Sequence, residues 1–260
     1  LVATMIRHSV SRWCFGSTPL DEFCQKCLQY GITGIDLLKL DEIPTVQSLG
    51  IECSITAAHP DENDIGEIEK GFNNPSFHPA LHKIYQKLIP AAAALGVKQV
   101  ICFSGNRDGI SEQDGLSHCA TGLAPLIPLA QQHGITLVME LLNSKVDHPD
   151  YQCDHTAWGA ALCERIGSAH FKLLYDIYHM QIMEGDVIRT IQTYHQHISH
   201  YHTAGVPGRH EFNDTQELNY PAIAQVIKAT GFDGFIGQEY MPTTEDPFEF
   251  LPKAVKLCSA

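Results

Sequence analysis

The stretch HTAWGAALCERIGSAHFKLLYD, His155 to Asp176, contains one complete unit of the pattern that decides the fold. Residues 155–167 have helical period and close on Gly167, where a helix end needs a left-handed residue. Residues 171–176 form a short apolar run of the kind that is buried on both faces of a parallel sheet, and the run ends on an aspartate. The unit recurs in both directions along the chain. Before it lie the strand candidates IRHSV (6–10), GIDLL (34–38), IECSIT (51–56), QVICFS (99–104) and TLVME (136–140). After it lie ISHYHT (198–203) and GFIGQEY (234–240). Helical patterns follow the strands at 19–31, 42–50, 78–96, 115–134, 155–167, 185–197, 220–231 and 246–259. Gly31, Gly50, Gly96, Gly134, Gly167 and Gly231 each stand just past a helical run. Pro19, Pro221 and Pro247 mark helix starts, each close to a Thr, Asn or Asp that can cap.

Alternation of this kind predicts a parallel sheet covered by helices. Eight units in 260 residues have the size of a (β/α)8 TIM barrel, read as one α/β domain over 1–260. The competing doubly wound sheet would carry a glycine fingerprint after its first strand, and RHSVSRWCFGSTP (7–19) has no G-x-G-x-x-G.

Composition narrows the partners. With 44% hydrophobic and 18% charged residues the chain is an ordinary globular one. Its net charge of −13 opposes nucleic acid as a partner, since binding phosphates needs a basic surface. No apolar run approaches the roughly 18 residues that would suggest a membrane span. The nine cysteines suggest thiols in a reduced compartment, and the CQKC pair, Cys24 and Cys27, lacks the second pair or histidines of a zinc site. A cytoplasmic location is the expectation, although a chain opening on Leu1 leaves room for a trimmed leader. A homo-oligomer is compatible with this class of barrel, but no stretch marks an interface.

The chemistry should sit where a barrel places it, at the C-terminal ends of the strands. Four consecutive strands finish in Glu140, Asp176, His202 and Glu239. Three carboxylates converging there would repel one another unless a cation joined them. Carboxylate oxygens with one imidazole suit Mg²⁺ or Mn²⁺ better than Zn²⁺. After His202 the turn residues Gly205, Pro207 and Gly208 should bring Arg209 and His210 over the barrel mouth. Arg209 offers a planar donor fork for a carboxylate, and Glu211 is placed either to hold it or to brace His202. His8 and His59 stand near the ends of early strands and are weaker candidates.

YDIYHMQIMEGDV (175–187), AGVPGRHE (204–211), ELNYPAI (217–223) and GFDGFIGQEYMP (231–242) resemble the hydroxypyruvate isomerase family, among the xylose isomerase-like TIM barrels. The resemblance implies a divalent metal held by Glu140, Asp176, His202 and Glu239, with Glu140 and Glu239 as the catalytic pair. It implies substrate contacts from His179, Arg209 and His210. The activity implied is isomerisation of hydroxypyruvate to tartronate semialdehyde, or of a related sugar, by proton transfer between the two glutamates through an enediolate. Two departures bear on the substrate. His202 stands where a glutamine is usual in that family and is similar to the ketose epimerases. The loop NSKVDHPDYQCDH (143–155) also differs from the family's. A ketose 3-epimerase is therefore the first alternative, ahead of an abasic-site endonuclease or a non-catalytic barrel.

Overall fold

The computed structural model describes residues 6–16 and 18–259. Its strands are β1 (Arg7–Ser11), β2 (Gly34–Asp36), β3 (Glu52–Ala57), β4 (Gln99–Cys102), β5 (Thr136–Glu140), β6 (Phe171–Asp176), β7 (Ile198–Thr203) and β8 (Phe235–Gln238). Each is parallel to the next, and β8 pairs with β1, so the sheet closes into an eight-stranded barrel in sequence order. Around it lie α1 (Leu20–Gln29), α2 (Ile43–Ser48), α3 (His78–Ala94), α4 (Glu112–Leu123) and α5 (Ile127–His133). The set is completed by α6 (Thr156–Ile166), α7 (Ile177–Met183), α8 (Val187–Tyr194), α9 (Tyr220–Ala229) and α10 (Leu251–Leu257). None of the described helices is long and apolar enough to cross a membrane.

The six glycines expected at helix ends all have positive φ, between 64° and 86°. Asn219 caps α9 by accepting a hydrogen bond from the Ala222 amide. Three expectations need correction. Residues 115–134 form two helices, because Ala124–Leu126 tighten into a 3-10 turn between α4 and α5; Pro125 and Pro128 lie in the joint. Asp246–Pro247 open a turn in which Asp246 accepts from the Phe248 amide, and α10 begins later, at Leu251. An unexpected short helix, α7, starts directly after β6.

The barrel interior is divided between two kinds of side chain. On β3 to β6, Ile55, Ile101, Val138 and Leu174 pack together as a small fully buried apolar cluster. On β7, β8, β1 and β2 the inward groups are polar: His200, His202, Glu239, Ser11 and Asp36 are all buried. Two slips of register shape this half. Between β2 and β3 the pairing jumps from Ile35↔Cys53 to Asp36↔Ile55, so Ser54 is the extra residue. Between β6 and β7 it jumps from Leu173↔Ile198 to Leu174↔His200, so Ser199 is extra. The second slip sets His200 beside Leu174 and His202 beside Asp176. Without it, His200 and His202 would leave the barrel interior, since a one-residue shift exchanges the two faces of a strand.

His8 is buried behind the sheet, not at its mouth. Its Nε2 meets Ser259 Oγ at 2.9 Å, and its Nδ1 is buried without a partner. Burial holds its pKa down, from 6.5 to about 4. The fold therefore favours the neutral ring, and the unfolded chain takes up the proton first. This contribution to stability is complete above pH 6.5 and is lost as pH falls toward 4; it amounts to at most about 3 kcal/mol. In urea unfolding at pH 7 and pH 4.5, His8→Gln should lose less stability on acidification than the parent chain. An equal loss in both would remove the assignment. His59 is exposed and takes no part in the site.

Candidate active site

Glu140 and Asp176 are the last residues of β5 and β6, His202 lies one residue before the end of β7, and Glu239 directly follows β8. All four are buried, and each offers one ligand atom within 4.8 Å of the other three. His202 is at the centre. Its Nδ1 lies 3.0 Å from Glu239 Oε2 and 3.3 Å from Glu140 Oε1, while Nε2 lies 3.0 Å from Asp36 Oδ2. Both ring nitrogens thus face carboxylates. Burial alone would lower the imidazole pKa, but Glu239 and the hydrogen bonds to Asp36 and Glu140 raise it well above its ordinary value.

Glu239 is the most tightly held carboxylate. Oε1 accepts from Ser11 Oγ at 2.9 Å and from Trp13 Nε1 at 2.9 Å; Oε2 accepts from Arg209 Nη2 at 2.7 Å. Burial opposes ionisation here, and the charges of His202 and Arg209 overcome it, so its pKa falls well below the usual carboxylate range. Asp176 goes the other way. Burial pushes it up to about 7; Arg209, 3.7 Å away, opposes the rise and Glu239 adds to it. Asp176 Oδ1 also caps α7 by accepting from the His179 amide at 3.1 Å, which leaves Oδ2 for the site. Glu140 has one side-chain contact of this kind, to His202.

That cap places His179, the third residue of α7, fully buried at the cluster. Its Nδ1 accepts from the Asn143 backbone N–H at 3.1 Å, so the ring proton belongs on Nε2. Nε2 sits 3.6 Å from Asp176 Oδ2 and has no hydrogen-bond partner. Burial and the nearby Arg209 hold its pKa well below the usual value, so the ring is neutral.

Arg209 arrives through the turn predicted after His202. Gly208 has φ 97° and Arg209 itself φ 61°. That left-handed backbone is rare for arginine. It is held by bonds from Arg209 N to Gly205 O at 3.0 Å and from Met241 N to Arg209 O at 2.7 Å. The guanidinium carbon stands 5.3 Å from the Trp13 ring centre and 5.4 Å from that of Tyr178. Its Nε is buried and unpartnered.

Two neighbours do not join this group. His210 is exposed, with Nδ1 3.0 Å from Met241 O. Glu211 holds neither Arg209 nor His202; it accepts from the Thr243 amide at 2.7 Å and hydroxyl at 2.9 Å, tying one rim loop to the next. Ser11, Trp13, His200 and Asp36 join the site beyond the residues the sequence points to. The aspartate inside GIDLL gave the same signal that marked Asp176, a charge in an apolar strand.

The four-residue cluster fits a hard divalent cation. Three buried carboxylates and one imidazole supply the oxygen-rich donors that such ions select, and the chain balances their charge only with His202 and Arg209. Two donors that point to a ligand, His179 Nε2 and Arg209 Nε, stay unpaired in the same pocket.

Known proteins resemble this chain in sequence and in fold. Over 113 residues the chain is 42% identical to the 2-oxo-tetronate isomerase of Cupriavidus necator, covering 44% of this chain and 43% of that one. Over 154 residues it is 32% identical to the hydroxypyruvate isomerase of Escherichia coli, covering 59% of each. The chain therefore matches about half the length of these relatives. The crystal structure of AP endonuclease, family 2, from Brucella melitensis superposes with a TM-score of 0.85 at 24% identity, covering 96% of this chain and 98% of that one. At that identity the likeness concerns the fold alone. The profile of the Xylose isomerase-like TIM barrel family matches residues 44–254, and the chain belongs to that family.

Proposed function

We propose that the protein is a divalent-cation-dependent isomerase of a small α-hydroxycarbonyl acid, with hydroxypyruvate and tartronate semialdehyde as the pair interconverted. The observation that carries this reading is the pairing of two unlike glutamates across His202. Glu239 is tied by four donors, and Glu140 meets one at 3.3 Å. Isomerases of hydroxypyruvate and of 2-oxo-tetronate among the relatives support the substrate class.

Glu140, Asp176, His202 and Glu239 would hold Mg²⁺ or Mn²⁺, which when bound supplies Lewis-acid polarisation of the substrate carbonyl. Glu140, the less encumbered base, takes a proton from C3 of hydroxypyruvate, and the electron pair moves toward the carbonyl oxygen at C2. His179 Nε2–H donates to an oxygen of the resulting enediolate, and being neutral it adds no charge that would trap it. Arg209 Nε–H faces the substrate carboxylate, with Trp13 and Tyr178 keeping the guanidinium planar to it. Glu140 returns the proton it took, now at C2, and the C3 hydroxyl becomes the aldehyde as its proton passes to the oxygen at C2, so that both glutamates end ionised as they began.

A proton-exchange screen tests the reading. In D₂O with Mn²⁺ or Mg²⁺, hydroxypyruvate should gain deuterium at C3 faster than without protein, tartronate semialdehyde should form, and EDTA should stop both. Deuterium at C3 of a free ketose, with none in hydroxypyruvate, would instead select a 3-epimerase. No exchange in any α-hydroxycarbonyl compound would sink the isomerase reading.

A further inference from the structure

Asp36 belongs to no step described above, yet it is a carboxylate with no exposed surface. It ends β2, is fully buried, and receives donors from two other strands. His200 Nε2 lies 2.7 Å and His202 Nε2 3.0 Å from the same oxygen, Oδ2, and the Ser54 hydroxyl donates to Oδ1. The two imidazoles meet edge to face, their centres 5.1 Å apart at 88°. A fourth strand makes room, since a Cβ on Gly237 would overlap Oδ2.

We propose that Asp36, braced by His200, is a positioning residue that fixes which nitrogen of His202 a cation meets. Asp36 is used as an acceptor on both oxygens, by Ser54 at Oδ1 and by the two imidazoles at Oδ2, so the nitrogen of His202 that faces it must carry a proton. That leaves Nδ1, which donates toward Glu140 and Glu239 in the metal-free protein, as the nitrogen that exchanges its proton for a cation. Asp36 also stops the ring from turning over, because a flip would put Cδ2–H where Nδ1 stands and Cε1–H against Asp36, losing both bonds. The three atoms Asp36 Oδ2, His200 Nε2 and His202 Nε2 could be read as a second metal centre. Both imidazole nitrogens spend their N–H on Asp36 Oδ2, at 2.7 and 3.0 Å, so neither offers a lone pair there, and the set holds one carboxylate where the other holds three.

The inference rests on the metal-dependent reading of the site, and the test separates the two. Mn²⁺ binding to the metal-free protein is measured by calorimetry, and the ¹⁵N signals of His202 are followed in the Zn²⁺-loaded form. The parent chain should bind Mn²⁺ and show a protonated Nε2 on His202. Asp36→Asn should bind Mn²⁺ about 10- to 100-fold more weakly. Its His202 should lose the single Nε2–H signature. A purely structural role would move neither reading once the variant is shown to be folded. Failure of the parent chain to bind a divalent ion overturns the metal-dependent reading, and this inference with it. Binding by the parent with unchanged affinity in folded Asp36→Asn overturns this inference alone. Should Asp36→Asn not fold, His200→Leu serves in its place. It removes the brace and keeps Asp36 and His202, and a severalfold weaker Mn²⁺ affinity is expected; unchanged affinity overturns the proposal.

Discussion

Glu140→Gln should slow exchange of the substrate C3 proton with solvent by about 10²- to 10⁴-fold, the usual contribution of a positioned general base. It should do so without lowering the melting temperature. The amide keeps the shape of the carboxylate and one oxygen for the cation, while losing the basic lone pair. Glu140 has little else to lose, since its side chain makes one hydrogen bond, to His202 at 3.3 Å. Glu239→Gln should behave differently. All four of its contacts donate toward it, from Ser11, Trp13, Arg209 and His202, and an amide NH₂ must face one of those donor pairs whichever way it turns. The expected result there is lost exchange together with lost stability. Deuterium exchange by NMR and thermal melts on the two variants check the contrast. Exchange at the parent rate in Glu140→Gln would take the role of first base away from it.

A single methyl group at Gly237 should damage the site as severely as loss of a ligand. Its Cβ would overlap Asp36 Oδ2 and come within 2.9 Å of His202 Cδ2 and 3.1 Å of Ser9 Oγ. Asp36 cannot swing aside, because His200, His202 and Ser54 all hold it. Overpacking of this kind costs about 1–3 kcal/mol, and in a chain of this size each kcal/mol lowers the melting temperature by about 2–4 °C. Gly237→Ala is therefore expected to melt several degrees lower, with Mn²⁺ affinity and turnover falling together as His202 is displaced. Thermal melts with metal titration measure both, and a variant matching the parent in both would show that this corner of the barrel has slack.

The alternation of strands and helices was legible because each unit carries its own local marks: an apolar run, a helical period and a glycine past the helix end. The groups at the ends of β5 to β8 were legible for a related reason. A charge or imidazole closing an otherwise apolar strand stands out within six residues of sequence. Asp36 gave the same mark, but its partners come from far away in the chain. His200 and Ser54 meet it only because β3 and β7 each carry an extra residue, and no local pattern announces such a bulge. The loop after His202 shows the same boundary. Gly205, Pro207 and Gly208 foretold a turn, yet whether Arg209, His210 or Glu211 faced inward depended on bonds to Met241 and Thr243, more than 30 residues onward. The break between α4 and α5 was missed because helical period ran on through 115–134, and the proline at 125 was the sign against it.

Trp13 closes the site in a way that has an optical consequence. The chain has two tryptophans; one, Trp158, lies on α6 with its indole bonded to the Glu112 carbonyl, away from the cluster. The other rests against the Arg209 guanidinium and donates to Glu239 while remaining 45% exposed. One indole thus touches both Glu239 and Arg209 at once. The protein carries its own fluorophore at the mouth of the barrel, and a ligand that enters there is expected to change the colour and yield of its emission.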